Sequence, residues 1–153
     1  ANLLVIQTAS KSRSLAGMRI GFAMGHPHLI EGLTRVKDSF NSYPLDQLAQ
    51  AALVASFKDE TYFQTTTQKI IASRDYATSA LTELGFNVLP SHANFIFVSH
   101  KSESAENIYQ ALRKQGVLVR HFKNPERIAN HLRITIGSDH DNQRVIAALQ
   151  FLK

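Results

Sequence analysis

The sequence predicts an α/β chain whose larger part is an α+β small lobe, a mostly antiparallel sheet with helices on one face. Three observations predict it. From Phe86 onward the pattern reads strand, strand, helix, strand, strand, helix. Ahead of that, Asp59 to Leu84 contains neither Gly nor Pro and returns apolar residues at helical spacing, as one long helix would. At the front, Leu3 to Thr8 is an apolar run too short for a helix, and it feeds a hydroxyl-rich loop that carries a lysine. A buried strand is the economical reading of such a run.

The next elements follow in order. Arg19 to Met24 reads as a second strand, and Gly25-His26-Pro27 punctuates it. Leu29, Ile30, Leu33 and Val36 then recur at helical spacing as far as Lys37,. After the polar loop Asp38 to Tyr43, Leu45, Leu48, Ala49, Ala52 and Leu53 predict an Ala-rich, largely buried helix with Pro44 in its first turn,. The long helix comes next, stopped by Gly85,.

The lobe itself begins with strands Phe86–Leu89 and Phe95–Val98, joined by the turn-like Ser91-His92-Ala93-Asn94,. Ser102 or Ser104 can cap a helix with Ile108, Ala111 and Leu112 on its apolar stripe, and Gly116 ends it,. Val117 to Arg120 predicts another strand. In Leu132-Arg133-Ile134-Thr135-Ile136 the strict alternation puts the apolar residues on one face and turns Arg133 off the core side,. Ser138 and Asp141 form a capping box for a last helix buried through Val145, Ile146, Leu149 and Leu152,.

Composition bounds the function. The 153 residues are 44% hydrophobic, enough for a sizeable core,. Seventeen Lys and Arg against twelve Asp and Glu give a net charge of +5, which suits an anionic ligand, a nucleic acid or a merely solvated surface. Without cysteine there is neither a disulfide framework nor a thiolate metal site,. No apolar run approaches the roughly 18 residues of a membrane span, and the start lacks the basic segment of a signal peptide. Cytoplasmic location, with no membrane and no nucleic-acid partner, is the expectation. The chain opens almost directly into a strand and without Met, so the sequence is expected to be the back part of a longer protein, because a strand that short wants neighbours.

The chemistry concentrates at Thr8-Ala9-Ser10-Lys11-Ser12-Arg13-Ser14-Leu15-Ala16-Gly17-Met18-Arg19-Ile20-Gly21. A lysine amine can attack a carbonyl to form an imine, while small hydroxyls, a second cation and a glycine suit a phosphate group. Ser10, Lys11, Leu15, Ala16, Gly17, Arg19 and Gly21 together resemble the cofactor-lysine motif of the fold type I pyridoxal-phosphate aminotransferases. The resemblance implies that Lys11 is the catalytic, cofactor-bonding amine and proton shuttle. It also implies that Thr8, Ser10 and Arg19 hold the phosphate of pyridoxal 5'-phosphate. Arg13 falls in the variable part of the motif and is read as a surface charge.

His131-Leu132-Arg133-Ile134-Thr135-Ile136-Gly137 is similar to the family segment whose arginine binds the substrate carboxylate. Its alternative reading is an exposed strand arginine paired across the sheet. Arg120, at the end of its strand and about a dozen residues earlier, resembles the phosphate-binding arginine of histidinol-phosphate aminotransferases. Asn41-Ser42-Tyr43-Pro44-Leu45 and Ser91-His92-Ala93-Asn94-Phe95 are also similar to segments of that subfamily, although turn and packing roles suit Asn41, Tyr43 and Asn94 as well. His26 and His28 lack the further ligands that a metal would need.

The resemblance implies the C-terminal domain of a pyridoxal-phosphate-dependent transferase fold. Residues 1–37 would be the remnant of the large cofactor-binding domain, and 38–153 the interdomain helix and small domain. The implied reaction exchanges an amino group between histidinol phosphate and the 2-oxo acid 2-oxoglutarate, in a homodimer when full length. Another aminotransferase of the class, for aromatic amino acids, or an enzyme like phosphothreonine decarboxylase is the alternative within that fold. A small basic binding or interaction module is the alternative outside it. The family's glycine-rich phosphate turn, ring-stacking aromatic and pyridinium-pairing aspartate would lie upstream of Ala1, so this chain alone is expected to be inactive.

Overall fold

The computed structural model describes residues 2–152. In chain order the elements are β1 (Leu4–Thr8), β2 (Gly21–Gly25), α1 (Pro27–Phe40), α2 (Gln47–Lys58), α3 (Glu60–Glu83), β3 (Phe86–Val88), β4 (Phe95–His100), α4 (Ala105–Lys114), β5 (Arg120–His121), β6 (Leu132–Thr135) and α5 (Asp139–Ala148). Short 3-10 turns occur at Ala16–Met18, Glu126–Ile128 and Gln150–Leu152. Contacts divide the chain into two compact units, Ala1–Thr67 and Gln68–Lys153, so the division falls inside α3 rather than after Lys37.

In the first unit β1 and β2 form an antiparallel pair, from Leu4 opposite Gly25 to Thr8 opposite Gly21. Gly25 is needed there, because a Cβ would stand 2.9 Å from the Leu3 carbonyl oxygen. The expectation of a buried first strand is not met: Val5 to Thr8 are exposed, since a two-stranded ribbon leaves both faces open. Ala9, Ile20 and Ala49 form a small core with Leu15 and Leu53 packed on it. This contact joins α2 to the lysine loop, and for that reason the unit extends past residue 37.

Two helix readings change. α2 starts at Gln47 rather than in a turn containing Pro44, because the Asp46 carboxylate accepts the Ala49 N–H at 2.7 Å and caps it,. Of its residues only Ala49 is buried, so the Ala-rich stretch is far more exposed than its composition suggests. α1 has Pro27 in its first turn behind the His26 cap, and no buried residue.

The second unit has a wholly antiparallel sheet in the order β3-β4-β6-β5. α3 ends where Gly85 turns to φ +90°, a conformation that a glycine adopts without a Cβ penalty. Ser104 caps α4 by accepting the Asn107 N–H, and Gly116 at φ +74° follows its end. Ser138 and Asp141 make the reciprocal capping box of α5. Leu81, Ile96, Val98, Ile108, Leu112, Leu132 and Leu149 are fully buried, each contributing about 1.5–3 kcal/mol of burial.

β5 is shorter than the expected strand Val117–Arg120. Val117 N–H bonds back to the Leu112 carbonyl in the last turn of α4, so that segment finishes the helix and only Arg120 and His121 join the ladder.

Candidate functional site

The first unit carries the lysine. Ala9 N–H donates to the Ile20 carbonyl at 3.1 Å and Leu15 N–H to the Ala9 carbonyl at 3.0 Å, pinning both ends of the loop beyond the Thr8–Gly21 rung. Within it Ser14 N–H closes a turn onto the Lys11 carbonyl at 2.9 Å. Lys11 is exposed, and among the described residues its ammonium has neither a hydrogen bond nor an ion pair. Ser10 N–H donates to Thr8 Oγ1 at 3.1 Å, and the Thr8 hydroxyl leans on the Ile20 carbonyl at 3.4 Å.

Arg19 sits in the left-handed region at φ +55°, as does Ser14 at φ +56°, conformations that side-chain-bearing residues hold only when their surroundings enforce them. One Arg19 nitrogen donates to the Ala16 carbonyl at 2.9 Å, and its other donors have no partner among the described residues. The loop from Ala9 to Ile20 contains no acidic residue. Two hydroxyls, an ammonium and a guanidinium without a carboxylate among them suit a phosphate, and the amine suits an aldehyde. The donor set therefore fits pyridoxal phosphate.

The second unit carries the arginines. Leu132 and Ile134 are buried while Arg133 is turned off the core side. Antiparallel register sets Phe97 of β4 and Arg120 of β5 opposite Arg133, so Phe97, Arg133 and Arg120 form a row across three strands. The Arg133 guanidinium lies 5.3 Å from the Phe95 ring and 5.9 Å from Phe122, and that of Arg120 lies 5.4 Å from Phe122. The His131 ring stacks on Phe97, with centroids 4.8 Å apart and planes 7° apart. Arg133 Nε and His131 Nδ1 are buried without a partner among the described residues. Two like charges side by side with an orphaned donor make a surface that favours an anion.

Behind β5, His121 bonds through Nε2 to the Ala129 carbonyl at 2.7 Å and lies 3.1 Å through Nδ1 from Glu106 of α4. The Gln110 side chain, with Lys123 and His121, holds the Glu106 carboxyl below its usual pKa.

A model of the family "Aminotransferase class I and II" matches residues 1–149. The chain belongs to the class I and II aminotransferase family. Among curated aminotransferases it is 57% identical over 152 residues to histidinol-phosphate aminotransferase 1 of Pseudomonas aeruginosa, covering 99% of this chain and 43% of that protein. It is 56% identical over 149 residues to histidinol-phosphate aminotransferase of Acinetobacter baumannii, covering 97% of this chain and 41% of that protein. The chain thus spans about two fifths of the length of these relatives. The solved histidinol-phosphate aminotransferase of Sinorhizobium meliloti, in complex with pyridoxal-5'-phosphate, superposes with a TM-score of 0.85 at 26% identity, over 99% of this chain and 41% of that one.

One residue of this aminotransferase chain sits differently from the sequence reading, and two segments take the turn roles it allowed. Arg13 is no surface charge: its side chain is 11% exposed and held by Ser56, Glu60, Phe57 and Phe63. Asn41 Oδ1 accepts the Tyr43 N–H in a local turn, and Ser91 Oγ does the same for the Ala93 N–H, so both segments have structural uses here. Phe95, Phe97, Phe122 and His131 were not singled out as site residues. The period-2 alternation of β4 could have found Phe95 and Phe97, because Ile96 and Val98 take the core positions,.

Proposed function

We propose that the full-length protein is a pyridoxal-phosphate-dependent aminotransferase that passes the amino group of histidinol phosphate to 2-oxoglutarate, as an enzyme of histidine biosynthesis. The observation that carries the substrate reading is the Arg120–Arg133 pair, two opposed guanidiniums with Arg133 Nε unpartnered among the described residues. The names of the relatives at 56–57% identity support it.

Bound pyridoxal phosphate supplies an electron sink for breaking the bond from hydrogen to the amine-bearing carbon. In this reading Ser10, Thr8 and Arg19 donate to its phosphate. Lys11 Nζ would hold the cofactor at its aldehyde carbon and, once released by the substrate amine, would carry a proton from the substrate carbon to the cofactor. Arg133 holds a substrate carboxylate through its planar fork, and Arg120 the substrate phosphate. In family terms residues 1–37 derive from the cofactor-binding domain and 38–153 from the interdomain helix and small domain, while α2 and the start of α3 pack with the first unit in this chain. The isolated 153-residue chain does not turn over. The full-length protein forms a homodimer, for which the nearly fully exposed Phe40 and Tyr43 are the kind of aromatic side chains that interfaces bury.

The test compares amino donation by histidinol phosphate and by phenylalanine in the full-length protein, with and without Arg120→Ala. Selective loss with the phosphorylated donor supports the assignment. Equal loss with both donors, or a preference for phenylalanine in the unaltered protein, overturns it.

A further inference from the structure

The Arg13 side chain is largely covered and makes contacts that no surface charge would need. Its Nη1 donates to the Ser56 carbonyl at 2.9 Å, its guanidinium carbon lies 3.7 Å from the Phe63 ring centroid and 4.5 Å from that of Phe57, and Nη2 stands 3.6 Å from Glu60. These partners come from the end of α2 and the start of α3. Phe57 is in turn met edge-on by Phe22 of β2 at 5.7 Å. A guanidinium held between two rings, with a carbonyl on its fork, has little freedom left.

Arg13 is also the third residue of the turn Lys11–Ser14, which is closed onto the Lys11 carbonyl and ends with Ser14 at φ +56°. Such a backbone persists only where something over-determines it. The Ala9 and Leu15 bonds hold the loop's ends, while Arg13 is the side chain that holds its tip.

We propose that Arg13 is a positioning residue for Lys11: anchored to the α2–α3 junction, it fixes the turn from which the Lys11 amine projects. This rests on the reading of Lys11 as the cofactor amine.

The experiment uses the full-length protein with Arg13→Ala, Arg13→Lys, Phe63→Leu and Phe63→Tyr, and Lys11→Ala as reference. Three readouts are taken: Lys11 labelled by pyridoxal phosphate and trapped with borohydride, hydrogen exchange at the Ser14 amide, and kcat and KM separately. Arg13→Ala should speed Ser14 exchange, cut Lys11 labelling and lower kcat about 10- to 100-fold, the scale of a misplaced reacting group, with KM for the amino donor little changed. Arg13→Lys should not rescue, because an ammonium lacks the planar fork. Phe63→Leu should follow Arg13→Ala, whereas Phe63→Tyr, which keeps the ring, should stay near the unaltered protein. Unchanged labelling and exchange in Arg13→Ala overturn the proposal, as do equal effects of the two Phe63 changes. If Arg13→Ala does not fold, the Phe63 pair decides. If Lys11→Ala still shows an undiminished borohydride-trapped covalent link to the cofactor, the reading of Lys11 fails instead.

Discussion

Arg120 of β5 stands directly opposite Arg133 of β6 in antiparallel register, and neither guanidinium has an ion-pair partner among the described residues. Like charges at directly opposed positions destabilise a sheet. Such a pair costs stability without a ligand and gains affinity with one. Arg120→Thr should therefore leave Tm unchanged or slightly higher in the absence of anions, while inorganic phosphate loses its stabilising effect. Thermal melts with and without phosphate measure both. A lower Tm without phosphate, together with retained phosphate stabilisation, would show that the two arginines are not an anion site.

Lys11 is exposed and unpaired among the described residues, so its removal should cost the fold little. Lys11→Ala is expected to change stability by no more than about 0.5 kcal/mol, as for surface substitutions generally, while abolishing the absorbance of bound pyridoxal phosphate in the full-length protein. A borohydride-trapped covalent link to the cofactor that survives the substitution undiminished would exclude Lys11 as the bonding amine.

Gly85 ends α3 at φ +90°, and a Cβ there would come 2.9 Å from His100 Nε2, which bonds the Leu84 carbonyl at 3.0 Å. Gly85→Ala meets both the left-handed backbone penalty and this contact, and should destabilise by more than about 1 kcal/mol. Denaturant melts check this, with His100→Ala as the background in which the steric part is relieved.

The Glu106 carboxyl is held below its usual range, first by Gln110 and then by Lys123 and His121. A depressed carboxylate pKa contributes stability above its unfolded value, and that contribution is lost as pH falls through the folded pKa. Wild type should thus exceed Glu106→Gln in Tm at neutral pH, with the gap closing as pH drops below the ordinary carboxylate range, about 4. A gap that is constant with pH would assign the effect to packing.

Ile96 is fully buried in the second unit's core between β3 and β6. Ile96→Ala should cost about 2–5 kcal/mol, read as a lower denaturant midpoint at unchanged slope.

The sequence by itself determined the features that covalent spacing carries. The loop that carries Ser10, Lys11 and Arg19 between two strands is legible because its residues are close in sequence, and the burial of Leu132 and Ile134 with Arg133 turned away follows from the period of a strand. Gly85, Ser104 and the Ser138–Asp141 box marked helix ends because caps are made within a few residues. What depended on distant partners was decided only in the tertiary structure. The Arg13 side chain is largely covered because Ser56, Phe57, Glu60 and Phe63 close around it from some 43 to 50 residues away. The apolar β1 stays exposed because the two-stranded ribbon offers it no cover, and β5 shrinks to two residues because Val117 is claimed by the end of α4. The sequence puts Arg120 and Arg133 thirteen positions apart, and the antiparallel pairing of β5 with β6 makes them face-to-face neighbours. Pattern reports which face a residue takes, whereas its neighbour across a sheet is set by the register that packing selects.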